Sequence, residues 1–315
     1  MPGKSALVTG ADRMAGQHVV ATLVSMDYRV VALTSQTPQR ELGQVQYTRG
    51  DITDLPEWEE QLEGIDLIVH CAHLESYQRR DRKRMTQYNV LATRNLVDAA
   101  LSYGVNRMVY LGSAYALARS ADPLLIASDA SGNPVFHSHF ARTIFHAELE
   151  IWRAEAEGMQ VGILHPARLI DPESGKRDLP VGALTEDKYA HTDQMGLLTT
   201  GDLGNWVRCV LDRSLWSERF LVCSDLGTPG SNTREDGAQS GESILTNGGV
   251  DSHPSKGTNG FGLLMKWLAA LRDESLGNEW KKFNALNLSF RTTERERELC
   301  LNFHSTSHKD SSLAK

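Results

Sequence analysis

The chain has 315 residues, 40% of them hydrophobic and 23% charged, with a formal net charge of −7. That is enough apolar material for one large core, or for one large and one small domain. The negative balance argues against general affinity for nucleic acid or an anionic membrane, because both need a clustered positive field. The four cysteines, Cys71, Cys209, Cys223 and Cys300, lie far apart without metal-type pairing, so neither a disulfide framework nor a metal site is indicated.

Ser5 to Thr9 (SALVT) is a short apolar run ending in Gly10, and Gly16 to Val24 then carries apolar residues at helical spacing, which predicts strand, tight turn and helix. No signal-peptide core precedes Ser5 and no stretch is apolar for long enough to span a bilayer, so we expect a cytoplasmic protein in a reducing compartment. Tyr28 to Leu33 and Val45 to Thr48 read as the second and third strands, and Leu67 to Cys71 as the fourth. The basic run Arg79, Arg80, Asp81, Arg82, Lys83, Arg84 reads first as a solvated face and second as a site for an acidic partner or a ligand phosphate. Asn89 to Tyr103 has the period of a helix, Arg107 to Leu111 is a fifth strand, and Phe140 to Glu157 is a long amphipathic helix closed by Gly158. Val161 to Leu164 and Phe220 to Cys223 are further strands.

Strands alternating with helices specify an α/β, doubly wound parallel sheet of the Rossmann type, with its ligand crevice at the carboxyl ends of the strands. We place this domain at residues 1–225, with substrate-side segments from about 165. Residues 226–260 are rich in Gly, Ser, Thr and Asn and read as a flexible, disordered insertion. Residues 261–315 form a C-terminal helical segment and tail, completing a small substrate-side region.

Val8 to Gly16 (VTGADRMAG) lies between the first strand and the first helix, where backbone N–H groups and a helix amino terminus meet a pyrophosphate. Here the sequence resembles the short-chain dehydrogenase/reductase superfamily, and more closely its extended, epimerase/dehydratase-like branch. The branch's T-G-x-x-G-x-x-G is matched by Thr9, Gly10 and Gly16 and broken at Arg13; in the alternative T-G-x-x-x-G-x-G spacing the break falls at Met14. A side chain in place of a glycine implies a shallower or tighter cofactor site. The resemblance continues in order. It implies adenine contact by Asp51 and Ile52, cofactor lining by His70-Cys71-Ala72-His73, an N-V-x-G-T-x-N-L-like helix start at Asn89, and the family's catalytic serine position at Ser113. It also implies contact with the nicotinamide side by His165-Pro166-Ala167-Arg168, and it likens Gly201 to Trp206 to the family's V-D-D-V-A segment.

The resemblance fails at one place. Family members carry a proton-transferring Tyr and, four residues on, a Lys that lowers its pKa and holds the ribose. The matching stretch here is Phe140-Ala141-Arg142-Thr143-Ile144, with Thr143 fixing the register, and neither Phe140 nor Ile144 can ionise. His137 and His139 are candidate substitute acids, His139 the more so, although surface histidines are the plainer reading. Tyr115 with Arg119 repeats the Tyr/Lys spacing but follows Ser113 too closely to sit on the required helix.

Two readings stay open: a cofactor-binding or regulatory protein with a degenerate active site, and an active NAD(P)-dependent oxidoreductase or epimerase, acting on a small molecule through a non-standard proton donor. NADP is expected in preference to NAD, because Thr34, Ser35 and Gln36 offer no carboxylate to the ribose diol and Arg13 offers a positive charge. A homodimer through the helices near Asn89 to Tyr103 and Phe140 to Glu157 is also expected, since Ile144, Phe145, Leu149, Ile151 and Trp152 exceed one buried stripe.

Overall fold

Consecutive residues of the short apolar runs point to opposite faces of a sheet, and both faces here are covered. In the computed structural model, which describes residues 4–36, 42–176, 178, 197–224 and 289–299, Ala6 and Val8 of the first strand join one apolar cluster while Leu7 joins another. Val69 and Ile68 divide in the same way, as do Val109 and Met108. This period of two explains why the strands read as continuous hydrophobic runs without polar alternation.

The elements in chain order are β1 (Ser5–Thr9), α1 (Met14–Ser25), β2 (Arg29–Thr34), β3 (Val45–Arg49), β4 (Leu67–His70), α2 (Arg82–Met85), α3 (Ala92–Ser102), β5 (Arg107–Leu111), β6 (Leu125–Ile126) and α4 (His139–Ala156). They continue with β7 (Gln160–Pro166), β8 (Arg168–Ile170), β9 (Leu197–Thr199), α5 (Thr200–Arg213), β10 (Glu218–Val222) and β11 (Ser289–Phe290). Seven strands form one sheet in the order β10-β7-β5-β4-β1-β2-β3, with every pairing parallel. The chain winds outward from β1 in one direction and from β4 in the other, so the topological switch point lies between β1 and β4. This is the expected doubly wound sheet. α1 and α5 cover one face and α3 and α4 the other.

Two elements differ from the sequence reading. Thr86–Leu91 forms a π-helical turn ahead of α3, and such turns mark places where a side chain is re-aimed. Here Asn89 is turned inward: its Oδ1 accepts from Leu74 N (2.7 Å) and its Nδ2 donates to Leu74 O (3.0 Å) and Thr143 Oγ1 (2.8 Å). α5 is a full helix, capped by Thr199 accepting from Asp202 N, with Leu203, Trp206, Val207 and Val210 buried at helical spacing.

The proposed insertion at 226–260 lies outside the described residues, as does the expected helical return at 261–271. Of the C-terminal segment, 289–299 docks on the edge strand β10: Glu296 Oε1 accepts from Leu221 N at 2.6 Å and Leu299 is buried in the α1/α5 cluster. An edge strand covered in this way offers no free ladder there to another chain. Among the described residues no helix is long and apolar enough to cross a membrane.

Candidate functional site: the crevice at the switch point

The loop after β1 is shaped by two glycines. Gly10 has φ +67°, and a Cβ there would come within 2.8 Å of Ala72 Cα; a Cβ on Gly16 would stand 2.2 Å from Gly10 O. The loop therefore packs directly on the end of β4 and the first turn of α1 packs directly on the loop. Arg13 caps α1 in extended backbone (φ −94°, ψ 160°), so the residue that breaks the glycine pattern needs no glycine conformation, and Met14 begins the helix. No side chain caps α1 and no acid stands in its first turn. Its first N–H groups thus have no side-chain cap, the condition under which a helix amino terminus can receive an anion.

Behind the loop, a chain of buried hydrogen bonds fixes the ends of β1 and β4. Ala72 N donates to Thr9 Oγ1 (3.2 Å), which meets His70 Nδ1 (2.7 Å); His70 Nε2 meets Thr93 Oγ1 (2.9 Å), which donates to Asn89 O (2.7 Å). The only consistent assignment is a neutral His70 protonated on Nε2. Burial holds its pKa down to about 3, with His73 a smaller cause. His70 is thus a structural pin, and among the described residues no group of His, Cys, Asp and Glu is arranged to hold a metal. Burial also pushes the Cys71 thiol well above its usual range.

The crevice beyond the loop is lined by Ser113, Phe140, Pro166, His73 and Arg168, all in stretches that the resemblance names, and also by Ala15, Glu75, Tyr115 and Asp178. Four of these form a buried polar cluster. Arg168 Nη2 is 3.4 Å from Tyr115 OH and 3.6 Å from Glu75 Oε1, its Nη1 donates to Asp178 O (3.0 Å), and Tyr77 OH donates to Glu75 Oε1 (2.9 Å). Desolvation raises the Tyr115 pKa, with Arg168 acting against it, and desolvation lowers that of His73, whose ring lies 5.7 Å from that of Phe140.

A family model, the NAD dependent epimerase/dehydratase family, matches residues 6–191, which span β1 to beyond β8 and contain the whole crevice described above. The chain belongs to the NAD dependent epimerase/dehydratase family. Among curated proteins it is similar to a putative dihydroflavonol 4-reductase of Synechocystis sp., 28% identical over 170 residues, covering 52% of this chain and 49% of that protein. It thus spans about half the length of that relative. It is also similar to sterol demethylase protein B of Methylococcus capsulatus, 27% identical over 71% of each chain. Among solved structures it resembles MoeE5 in complex with UDP-glucuronic acid and NAD (TM-score 0.58, 22% identity, 70% of this chain and 76% of that one). A UDP-glucuronic acid 4-epimerase from Bacillus cereus in complex with NAD gives a TM-score of 0.57 at 17% identity, covering 70% and 78%.

In this epimerase/dehydratase-family chain the two positions where the resemblance fails have different surroundings. Phe140 lines the crevice and is 1% exposed. Ile144, one turn later, is fully buried in an apolar cluster with Leu117, Ile126 and Leu221 and is not among the lining side chains. Of the two positions, only Phe140 therefore faces the crevice. His139 is also placed elsewhere: its Nε2 meets Arg82 O (3.0 Å) and Thr86 Oγ1 (3.2 Å), tying α4 to α2, and it does not line the crevice. His137 is bonded to Pro123 O at 2.6 Å. Arg119 donates to the carbonyls of Ala116 and Ala118, away from Tyr115.

At the adenosine end, Asp51 accepts from Thr53 N and Oγ1 (both 2.8 Å) after β3, and Ile52 is buried beneath it with Trp58. Ser35, at the tip of β2, is hydrogen-bonded to Asp12.

Sequence reasoning missed Glu75 and Asp178 altogether. A signal for Glu75 existed, since a carboxylate shortly after a strand end in a ligand crevice is seldom idle. It also left Glu148 without a role, and His165, to which the resemblance gives a nicotinamide-side contact, is fully buried and does not line the crevice. His165 donates through Nδ1 to Ser113 O (3.1 Å), and its Nε2 lies 3.3 Å from Glu148 Oε2. Glu148 also receives Trp152 Nε1 (3.0 Å) and Arg219 Nη1 (3.4 Å), and although burial opposes it, these partners bring its pKa down to about 2.

Proposed function

We propose that this protein binds a nicotinamide dinucleotide at the β1/β4 switch point and has lost the Tyr/Lys proton machinery of its family, acting as a cofactor-binding or regulatory protein. The pyrophosphate would lie on Gly10, Arg13 to Gly16 and the start of α1, with the nicotinamide directed towards Ser113, Phe140 and Pro166. The cofactor, when bound, supplies hydride chemistry. The observation that carries the reading is Phe140: a benzyl ring stands in the crevice where the resemblance requires a phenol, and the lysine position is sealed in apolar packing. Ser113 remains, but a serine hydroxyl without a neighbouring base or cation has no proton to give near neutral pH.

Support for dinucleotide binding comes from the loop geometry, from the family model and from the NAD held by structurally similar proteins. The protein is further read as a cytoplasmic homodimer that pairs α3 and α4. The test is a titration with NADH and NADPH followed by absorbance at 340 nm in the presence of ketones, aldehydes and nucleotide sugars. Saturable binding without consumption supports the proposal; steady oxidation of either cofactor by wild type refutes the loss of chemistry.

One observation favours the second reading, an active oxidoreductase. Tyr115 and Arg168 place a phenol beside a cation in the same crevice. Burial raises the Tyr115 pKa in spite of Arg168, which makes it a weak acid for the purpose, since an effective one lies near the working pH. If wild type turns over, Tyr115→Phe is the variant that identifies the donor.

A further inference from the structure

Asp12 and Arg13 are adjacent in the phosphate loop, and their side chains leave it in opposite directions. Asp12 Oδ2 accepts from Ser35 Oγ at 2.6 Å and from Ser35 N at 3.2 Å, which holds the carboxylate at the carboxyl tip of β2. Ala11 N donates to Leu33 O at 3.1 Å, stitching the same loop to β2. Arg13 runs the other way: its Nη2 lies 3.8 Å from Asp178 Oδ1, beside the buried Arg168 cluster.

This arrangement reverses the charge expected from sequence. Thr34, Ser35 and Gln36 contain no carboxylate, yet the folded loop delivers one to that tip. In a doubly wound sheet the adenosine ribose lies near the tip of the second strand, where a carboxylate accepts from the ribose hydroxyls and repels a 2′-phosphate. Only Oδ2 of Asp12 is used by Ser35; among the described residues its Oδ1 makes no hydrogen bond and can receive a hydroxyl. Arg13, the cation of the loop itself, is directed to Asp178 instead.

We infer that this chain selects NAD(H) over NADP(H), and that the selecting group is Asp12 of the phosphate loop and not a residue of β2. The inference rests on the dinucleotide reading above. It is tested by fluorescence titration of wild type and Asp12→Asn with NADH and with NADPH at fixed ionic strength. One charge-assisted hydrogen bond and the repulsion removed with it correspond to about tenfold or more in affinity. Wild type is therefore expected to bind NADH at least about tenfold more tightly than NADPH, and Asp12→Asn to weaken NADH, strengthen NADPH and bring the two within about threefold. Asparagine preserves the side-chain size and an acceptor for Ser35; circular dichroism checks the fold, and the wild-type ratio stands without any variant. NADPH binding as tightly as NADH to wild type, or a preference unchanged in Asp12→Asn, overturns the inference and leaves the dinucleotide reading intact. Failure of wild type to bind either cofactor overturns both.

Discussion

Two glycines decide how closely α1 approaches the sheet. Gly16→Ala would put a methyl 2.2 Å from Gly10 O, and backbone has no rotamer with which to yield. We expect a loss of about 2 kcal/mol or more by urea denaturation, together with loss of dinucleotide binding; a variant that binds NADH normally would show that the loop is not the pyrophosphate site. The positions of Phe140 and Ile144 predict unequal responses. Phe140→Tyr adds a hydroxyl at the crevice wall and should change stability by less than about 1.5 kcal/mol, whereas Ile144→Lys buries an ammonium in apolar packing and should lose about 3 kcal/mol or more. Equal tolerance of both would contradict the burial of Ile144. His70 adds a pH dependence. Its folded pKa of about 3 lies below the 6.5 of an exposed imidazole, so the unfolded chain binds the extra proton first. The stability is full above about pH 6.5 and is lost as pH falls towards 3. Between pH 7.5 and 5, His70 alone should remove about 2 kcal/mol; a flat profile by chemical denaturation over that range would disprove the neutral pin.

At the scale of elements, the first turn and the middle of α4 do different work. Its first turn presents Phe140 to the crevice, while Glu148, three turns into the helix, braces β7 through His165 and β10 through Arg219. Glu148→Ala would leave the buried His165 ring, Trp152 Nε1 and Arg219 without their carboxylate partner, a loss of about 3–5 kcal/mol. That loss should move the urea midpoint without changing the slope. The Glu148 pKa of about 2 against the 4.5 of an exposed glutamate means that its contribution is present above pH 4.5 and disappears as pH falls towards 2, below most of the His70 window. The strands, α1 and α4 were legible from sequence because burial on both sheet faces writes unbroken apolar runs and because Gly10 and Gly158 punctuate them. α5 had a helical stripe from Leu203 to Val210 and was passed over for a segment resemblance. The Asn89 turn was not legible, since a π-helical turn differs from an α-turn only in the register of its backbone hydrogen bonds, i to i+5 in place of i to i+4, which leaves no residue pattern in the sequence.

Taken as a molecule, the parallel sheet concentrates its chemistry at one edge, where the ends of β1, β4, β5 and β7 converge. The sequence located that crevice through Ser113, Phe140, Pro166 and Arg168, but Glu75, Tyr115 and Asp178, which help to fill it, come from segments whose meeting depends on the whole topology. The same limit explains Asp12, whose charge reaches the tip of β2 only once the loop is folded. On the opposite flank, Leu149 of α4 is 50% exposed and Leu91, at the start of α3, 47%. Such residues at the proposed dimer face predict twice the monomer mass in light scattering at micromolar concentration and monomers for Leu149→Glu; a monomeric wild type would refute that pairing. The central claim is binding without chemistry. Titrating the wild-type protein with NADH and NADPH, and then following absorbance at 340 nm for hours with carbonyl substrates and nucleotide sugars, tests it most directly. The account predicts saturable binding and a constant absorbance, whereas absence of binding, or sustained cofactor oxidation above background, would contradict it.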